Sequence, residues 1–161
     1  MAQASNRTIP VKWFVRIQEE LNAKSAIMPG MLLDRSAANT LFPHDIAGGF
    51  AQRIFALEDD LQGKGIDDAY AAGDLVQYGY FRNGDVVLAI LADGQNIAIG
   101  DALESAGGGL LQKSTAQQSS ATGEETQSVV AIAEEALDMS GSSGAESSAL
   151  AAHPRIKVRI V

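Results

Sequence analysis

Charged and apolar residues alternate at the end of the chain, over residues 155–161. A period of two places successive side chains on opposite faces of the backbone, so the pattern predicts a strand with one buried face. The side chains predicted to face the core are Ile156, Val158 and Ile160. The side chains predicted to form a basic stripe on the other face are Arg155, Lys157 and Arg159. Such a stripe fits either a solvated surface or a contact with an acidic partner.

A second regularity is a Gly-Asp pair that comes just before apolar residues. It occurs at Gly73-Asp74, Gly84-Asp85 and Gly100-Asp101. The intervals of 11 and 16 residues between the pairs fit short antiparallel strands and leave no room for crossover helices. Strands are therefore predicted at about residues 74–82, 85–92 and 95–104.

Two further segments fit more than one kind of element. Residues 11–17 alternate as a strand does through Trp13, Val15 and Ile17, although a short helix is also compatible with the pattern. β-Branched and aromatic residues favour the strand. Residues 127–137 combine valines, which favour a strand, with alanine and glutamate, which favour a helix. Their position between two loops, just before the closing strand, favours the strand.

Turn and loop signals separate these elements. Pro29-Gly30 predicts a tight turn between two apolar pieces. Residues 41–50 are predicted to form a loop that leads into a strand over 51–58. The acidic, glycine-rich residues 59–68 are predicted to be a surface loop that packs poorly. Two serine-rich stretches are predicted to be flexible loops, at 112–123 and 140–148.

The complete pattern predicts an all-β fold in a single domain. We expect a barrel or sandwich of about eight to ten short antiparallel strands, with long flexible loops and room for one short helix. Residues 1–17 are predicted to form a partly extended N-terminal arm, because the first ten are polar and end in a proline. Residues 18–161 are predicted to form the β-rich domain.

Charge is distributed unevenly along the chain, whose formal net charge is −8. Residues 58–104 hold ten acidic residues against two basic ones, whereas both ends of the chain are basic. This asymmetry suits docking onto a charged protein surface or onto a neighbouring copy, although a solvated acidic surface explains it equally well. A pI near 4.6 without a dense run of Lys and Arg argues against direct binding of nucleic acid.

Composition excludes several other classes. The absence of cysteine excludes disulfides, thiolate zinc sites and a cysteine nucleophile. No apolar run approaches the roughly 20 residues that a membrane span requires. Residues 1–10 lack the apolar region of a signal peptide, so we expect a protein that is made in a cytoplasm.

No catalytic or metal-binding motif is evident. The only histidines, His44 and His153, lie 109 residues apart, so a metal-assisted hydrolase would need them to meet the acidic loop in space. Carboxylates in residues 59–68 lack the order of an EF-hand, and residues 107–109 lack the Gly-Lys-Ser/Thr of a phosphate loop. No serine lies in a nucleophile elbow. We therefore expect no enzyme activity, no cofactor and no metal.

Aromatic side chains are the remaining candidates for a function. Trp13 and Phe14 lie near the basic N-terminus, and Tyr70, Tyr78 and Tyr80 lie in the acidic half. Aromatic residues often anchor interfaces, although core packing is their commoner role.

Seven short segments follow one another in a characteristic order across residues 27–161. They are Pro29-Gly30-Met31-Leu32, Ala47-Gly48-Gly49, Phe55-Ala56-Leu57-Glu58, residues 70–76, residues 94–103, Ala131-Ile132-Ala133-Glu134 and residues 155–160. In this order the chain resembles the capsid decoration, or head cement, proteins of tailed bacteriophages. Each segment is weak alone, being mostly turn glycines and alternating strands.

The resemblance implies a structural role in the virion. Decoration proteins bind the outside of an expanded icosahedral capsid between subunits of the major capsid protein and stabilise the shell, without making or breaking a bond. They often form homotrimers, and dimers also occur. The resemblance thus implies assembly in the host cytoplasm, the major capsid protein and further copies of the chain as partners, and neither nucleic acid nor membrane as a partner.

Candidate contacts with the capsid or another copy come from the two basic ends of the chain. They are Arg7, Lys12, Trp13, Phe14 and Arg16 in the arm and Arg155, Lys157 and Arg159 in the closing strand. The arm could add a strand to an exposed sheet edge of a capsid subunit. The alternative is a small β-barrel module that binds a ligand or protein and has no role in a virion.

Overall fold

The computed structural model describes residues 8–115, 128–142 and 154–161. Its regular elements are thirteen short strands and one turn of 3-10 helix (Asp60–Gln62). The strands are β1 (Pro10–Lys12), β2 (Ile17–Asn22), β3 (Leu32–Arg35), β4 (Leu41–Pro43), β5 (Ile54–Ala56), β6 (Leu75–Tyr80), β7 (Val86–Ile90), β8 (Asn96–Ile97), β9 (Ala102–Gly107), β10 (Leu110–Lys113), β11 (Val129–Ala133), β12 (Leu137–Asp138) and β13 (Arg155–Ile160). The predicted all-β class is confirmed.

Two sheets pack face to face as a sandwich. The larger sheet has the order β1-β7-β13-β11-β9-β10, and the smaller has the order β2-β6-β5-β3-β4. Strands β8 and β12 form a separate two-stranded ribbon. Neighbouring strands are antiparallel throughout, as expected for short connections. An isolated parallel bridge between Leu91 and Leu111 also links the end of β7 with β10.

The last strand lies inside the larger sheet, between β7 and β11. Its alternating pattern has the predicted consequence, because Ile156, Val158 and Ile160 are completely buried in the core between the two sheets. Side chains of β7, β9 and β11 supply much of the remainder of this core, together with Phe55 and Phe81 from the side of the smaller sheet. The closing strand therefore joins both halves of the sheet.

A second core lies on the opposite face of the smaller sheet. Alternation along β5 sends Phe55 into the first core and its neighbours Ile54 and Ala56 into the second. Tyr70 and Tyr78 are almost fully buried in this second core, so they pack the interior instead of anchoring an interface. Burial raises the pKa of both phenols, which keeps them protonated at neutral pH.

The three Gly-Asp pairs form the same turn. In each, the glycine has a φ of +90° to +96°, which suits the third residue of a type II turn and favours glycine. The aspartate carboxylate accepts a hydrogen bond of 2.8 Å from the N–H three residues earlier, and its own N–H donates to the carbonyl of that residue. The paired residues are Ala71 and Asp74, Arg82 and Asp85, and Ala98 and Asp101.

Several predicted strands are divided in the structure. Residues 11–17 do not form one strand, because β1 joins the larger sheet and β2 the smaller, and residues 13–16 cross between them. The predicted strand over 95–104 is interrupted by the turn at 98–101, which separates β8 from β9. Part of the predicted loop 41–50 is strand β4. These divisions explain why the described residues hold more strands than expected.

The acidic segment at 59–68 packs more closely than its composition suggests. Asp59 is only 5% exposed and accepts a hydrogen bond from the Gln77 side chain at 3.2 Å. Ile66 packs against the first core. Most of the other residues in the segment are exposed, as predicted for a surface loop, and the exception at Asp59 is possible because Gln77 provides its carboxylate with a partner inside the fold.

Glycine substitutions separate backbone strain from crowding. An alanine Cβ at Gly100 would meet no atom within 4 Å, so only the positive φ opposes it and Gly100→Ala should cost about 1–2 kcal/mol. Gly109 also has a positive φ, and its Cβ would lie 3.0 Å from Met31 and 3.1 Å from Pro43. We expect Gly109→Ala to be clearly more destabilising in urea unfolding. Equal free-energy losses would contradict this assignment of crowding.

Candidate functional site

Exposed apolar side chains are concentrated in two connections between strands. Phe14 and Val15, between β1 and β2, are 74% and 46% exposed. Ile46 and Phe50, between β4 and β5, are 62% and 83% exposed. The other large apolar side chains that are exposed in the described residues lie apart from these and from one another along the chain, namely Leu61, Leu75 and Ile99. Apolar groups held in water in this way are candidates for an interface.

The two connections leave the same end of the smaller sheet. Tyr80, the last residue of β6, pairs with Ile17, the first of β2, and with Ile54, the first of β5. The β1–β2 connection (residues 13–16), the β4–β5 loop (residues 44–53) and the β6–β7 turn (residues 81–85) therefore meet at this end. We call these three connections the apolar end.

Stacking of aromatic rings joins the connections. The Trp13 ring stacks on Phe81 with 4.8 Å between centroids, and its Nε1–H donates to the Tyr80 carbonyl at 3.3 Å. The Phe81 N–H donates to the carbonyl of Arg53 in the β4–β5 loop at 3.1 Å. A Cβ at Gly79 would lie 2.7 Å from the indole, so this glycine makes room for Trp13. Trp13 is thus partly buried, as a platform beside the exposed Phe14.

A buried carboxylate fixes the backbone of Phe14. Asp85 is fully buried, and its two oxygens accept the N–H groups of Phe14 at 2.9 Å and Arg82 at 2.8 Å. Its backbone N–H and carbonyl are bonded to Arg82 and Ile160. The Gly-Asp turn therefore positions an exposed aromatic residue 71 positions away in the sequence.

The β4–β5 loop is held by His44, which is 1% exposed. Its ring nitrogens bond to the Ser105 Oγ at 2.8 Å and the Phe50 carbonyl at 2.9 Å. Its backbone N–H donates to the Leu32 carbonyl, and its carbonyl accepts the Gly109 N–H, each at 2.9 Å. Because Leu32 belongs to the smaller sheet and Ser105 to the larger, His44 ties the sheets together.

Positive charge surrounds the exposed apolar groups. Arg16 lies over the Trp13 ring at 5.8 Å, and Arg53 and Arg82 belong to the adjoining connections. Lys12, Arg16, Arg53 and Arg82 take no part in the salt bridges found among the described residues. The carboxylates in the three connections are those of the exposed Asp45 and the buried Asp85. The apolar end is accordingly suited to an acidic or neutral partner surface.

The site residues predicted in the N-terminal arm lie mostly in one place. Lys12, Trp13, Phe14 and Arg16 lie at or next to the apolar end, whereas Arg7 is outside the described residues. His153 also lies outside them.

The predicted stripe on β13 lies elsewhere and is engaged within the chain. The Arg155 side chain is 8% exposed, and its guanidinium donates to Asp67 Oδ1 at 2.6 Å and to the Pro29 and Ile66 carbonyls. Arg159 pairs with Glu134 at 2.6 Å. Lys157 is partly buried, and its backbone N–H donates to Glu135 Oε1 at 2.7 Å.

Ile46, Phe50 and His44 were not predicted as site residues. The predicted loop over 41–50 had only a glycine-containing signature, which does not reveal which side chains remain exposed. A large aromatic residue directly after Gly48-Gly49 is the signal that could have directed attention to Phe50.

The described residues form neither a cluster that could bind a metal ion nor an activated Ser105. They hold no group of three or more His, Asp or Glu side chains that could bind a metal ion. His44 and Ser105 form a hydrogen-bonded pair, but Ser105 is completely buried. The other ring nitrogen of His44 contacts a carbonyl, whereas the histidine of a catalytic triad contacts a carboxylate at this position. Nor does any helix in this part of the chain have the length and apolar character to cross a membrane.

Comparison with known proteins identifies a relative in fold. No known protein family and no curated protein sequence matches this chain. The crystal structure of the N base of head fiber gp8.5 from bacteriophage phi29 superposes with a TM-score of 0.55 at 14% sequence identity. The alignment covers 91% of this chain and 95% of that one. This chain therefore shares the fold of that head fiber base.

Substituting Arg155 tests whether this residue serves the fold. Arg155→Ala leaves the Pro29 and Ile66 carbonyls without their donor, so we expect a loss of about 2–3 kcal/mol in the free energy of unfolding. Asp67 is 65% exposed, so Asp67→Ala should cost less than about 1 kcal/mol. Denaturant unfolding of both variants makes the comparison. A stable Arg155→Ala variant would return this residue to the set of interface candidates.

Proposed function

We propose that this chain is a structural protein of a tailed bacteriophage head that binds the outer surface of the capsid through its apolar end. It acts between subunits of the major capsid protein, opposes their separation and performs no catalysis. Further copies of the chain, in a homotrimer or a dimer, reinforce this binding. The observation that carries the proposal is the set of large apolar side chains held exposed at one end of the sandwich.

The cost of exposing these groups supports a docking role. Covering a Phe side chain contributes roughly 1.5–3 kcal/mol, so Phe14 and Phe50 together offer a substantial part of a protein–protein affinity. Both are presented from backbones that are hydrogen-bonded to buried side chains, those of Asp85 and His44. A surface that is ordered before binding loses less conformational entropy when it docks.

The likeness in fold supports the assignment to a virion. The head fiber of bacteriophage phi29 is by its name a component of a phage head, and this chain shares the fold of its N base. The resemblance of the sequence to decoration proteins indicates the same class of protein independently. Fold alone does not determine function, so the proposal depends on the apolar end.

Because binding sites repeat over a capsid, weak individual contacts are sufficient for high occupancy. A shell displays many equivalent sites, and copies that also touch one another bind with a high effective concentration. The basic residues around the apolar end would meet acidic capsid surface and guide the approach, with an association rate that falls as salt rises.

Capsid binding can be tested by substituting exposed residues only. We expect Phe14→Ser combined with Phe50→Ser to reduce affinity for capsids of the encoding virus by at least tenfold, measured by co-sedimentation and by cryo-electron microscopy of occupancy. Leu61→Ser, at an equally exposed site in the acidic segment, is the matched control and should bind normally.

The free energy of unfolding of each variant should stay within about 0.5 kcal/mol of the value for the unaltered chain, because the altered side chains are exposed. Normal occupancy by the double variant would overturn the docking surface. Absence of the unaltered chain from virions would overturn the structural role and favour the alternative, a protein-binding module that has no role in a virion.

A further inference from the structure

We infer that His44 is a positioning residue for docking: it holds the β4–β5 loop in the one conformation that presents Ile46 and Phe50 to a partner. The inference rests on the proposed function for its binding consequence, while its structural consequence is independent of any capsid. Histidine is suited to the position because its two ring nitrogens can have opposite hydrogen-bonding roles.

The hydrogen bonds around the ring define its tautomer. The Phe50 carbonyl can only accept, so Nε2 carries the proton and donates to it over 2.9 Å. With a single proton on the ring, Nδ1 is the acceptor, and the Ser105 hydroxyl donates to it over 2.8 Å. The Ser105 oxygen in turn accepts the Gly107 N–H at 3.1 Å. In this arrangement both ring nitrogens of His44 and the Ser105 hydroxyl have hydrogen-bond partners.

The same cluster shapes the loop. The Gly48 N–H donates to the Ser105 carbonyl at 2.8 Å, and the Gly49 N–H donates to the Ile46 carbonyl at 3.1 Å. A Cβ at Gly49 would lie 2.6 Å from the Ile46 side chain, so the loop turns tightly around Ile46. Together with the carbonyl of Phe50, these contacts tie down the backbone on both sides of the two exposed residues.

Nothing else among the described contacts replaces the His44 bond to Phe50. The Phe50 side chain is 83% exposed, so its own packing contributes little to the position of its backbone. Ala51, the next residue, is buried and marks where the loop rejoins the core. The ring of His44 therefore controls the direction in which the Phe50 side chain projects from the surface.

The first test measures the loop without a partner. His44→Phe keeps a ring of similar size but removes both ring hydrogen bonds, so we expect about tenfold faster hydrogen exchange at the Gly48 and Gly49 amides. Exchange in β7 and β13 should remain slow, which shows that the sandwich is folded. His44→Gln, which retains a donor and an acceptor, should recover part of the protection. Unchanged loop exchange in His44→Phe would overturn the inference.

The second test links the loop to binding by a double-mutant cycle. If His44 acts through the exposed side chains of the loop, then His44→Phe and the combined change Ile46→Ser with Phe50→Ser each weaken capsid binding, and combining all three weakens it no further. Losses that multiply would overturn the positioning role. If Ile46→Ser with Phe50→Ser binds normally, the proposed docking surface is wrong, while the exchange experiment still decides whether His44 orders the loop.

If His44→Phe does not fold, Ser105→Ala provides the same measurement, since it removes only the hydroxyl that faces Nδ1. We expect it to accelerate exchange of the loop amides about fivefold, because the hydroxyl is the partner of both Nδ1 and the Gly107 N–H. Unaltered loop exchange in a folded Ser105→Ala variant would count against the inference.

Discussion

The placement of the last strand inside the larger sheet is the constraint on which the rest of the structure depends. β13 fills the position between β7 and β11 and buries its apolar face in the core between the sheets. Its final residue also fixes the apolar end: the Ile160 carbonyl accepts the Gly84 N–H, and the Ile160 N–H donates to the Asp85 carbonyl. Because the Asp85 carboxylate holds Phe14, closure of the core and presentation of an exposed aromatic residue are parts of one network.

The apolar end combines exposed side chains with hydrogen bonds from its backbone to two buried side chains, Asp85 and His44. Asp85 supports one connection and His44 the other, and Trp13 stacked on Phe81 joins them. Each support is a polar or aromatic group inside the fold, where the low dielectric strengthens its hydrogen bonds. This rigidity distinguishes the apolar end from a chance exposure such as Leu61, which lies in a one-turn helix with no buried side chain.

Sequence patterns predicted those features that depend on neighbouring residues. Alternation identified the buried face of β13, and the Gly-Asp pairs marked three turns because a positive φ and a short carboxylate are local requirements. The division of residues 11–17 between two sheets was not predictable in this way, since Trp13 turns away to meet Phe81, far along the chain. For the same reason the alternation correctly placed Arg155 opposite the core but could not reveal that Asp67 and two carbonyls engage it.

The candidate site was only half predictable for a related reason. A strand in this sandwich uses its side chains for the core and its backbone for its neighbours, so new contacts are most readily made by the connections at the ends. Connections carry little periodic signal, and the exposure of Ile46 and Phe50 follows from hydrogen bonds to His44 and Ser105 that only the folded chain brings together. The fold shared with the head fiber base at 14% identity agrees with this division, because a buried framework needs only the right pattern, whereas a docking surface needs particular residues.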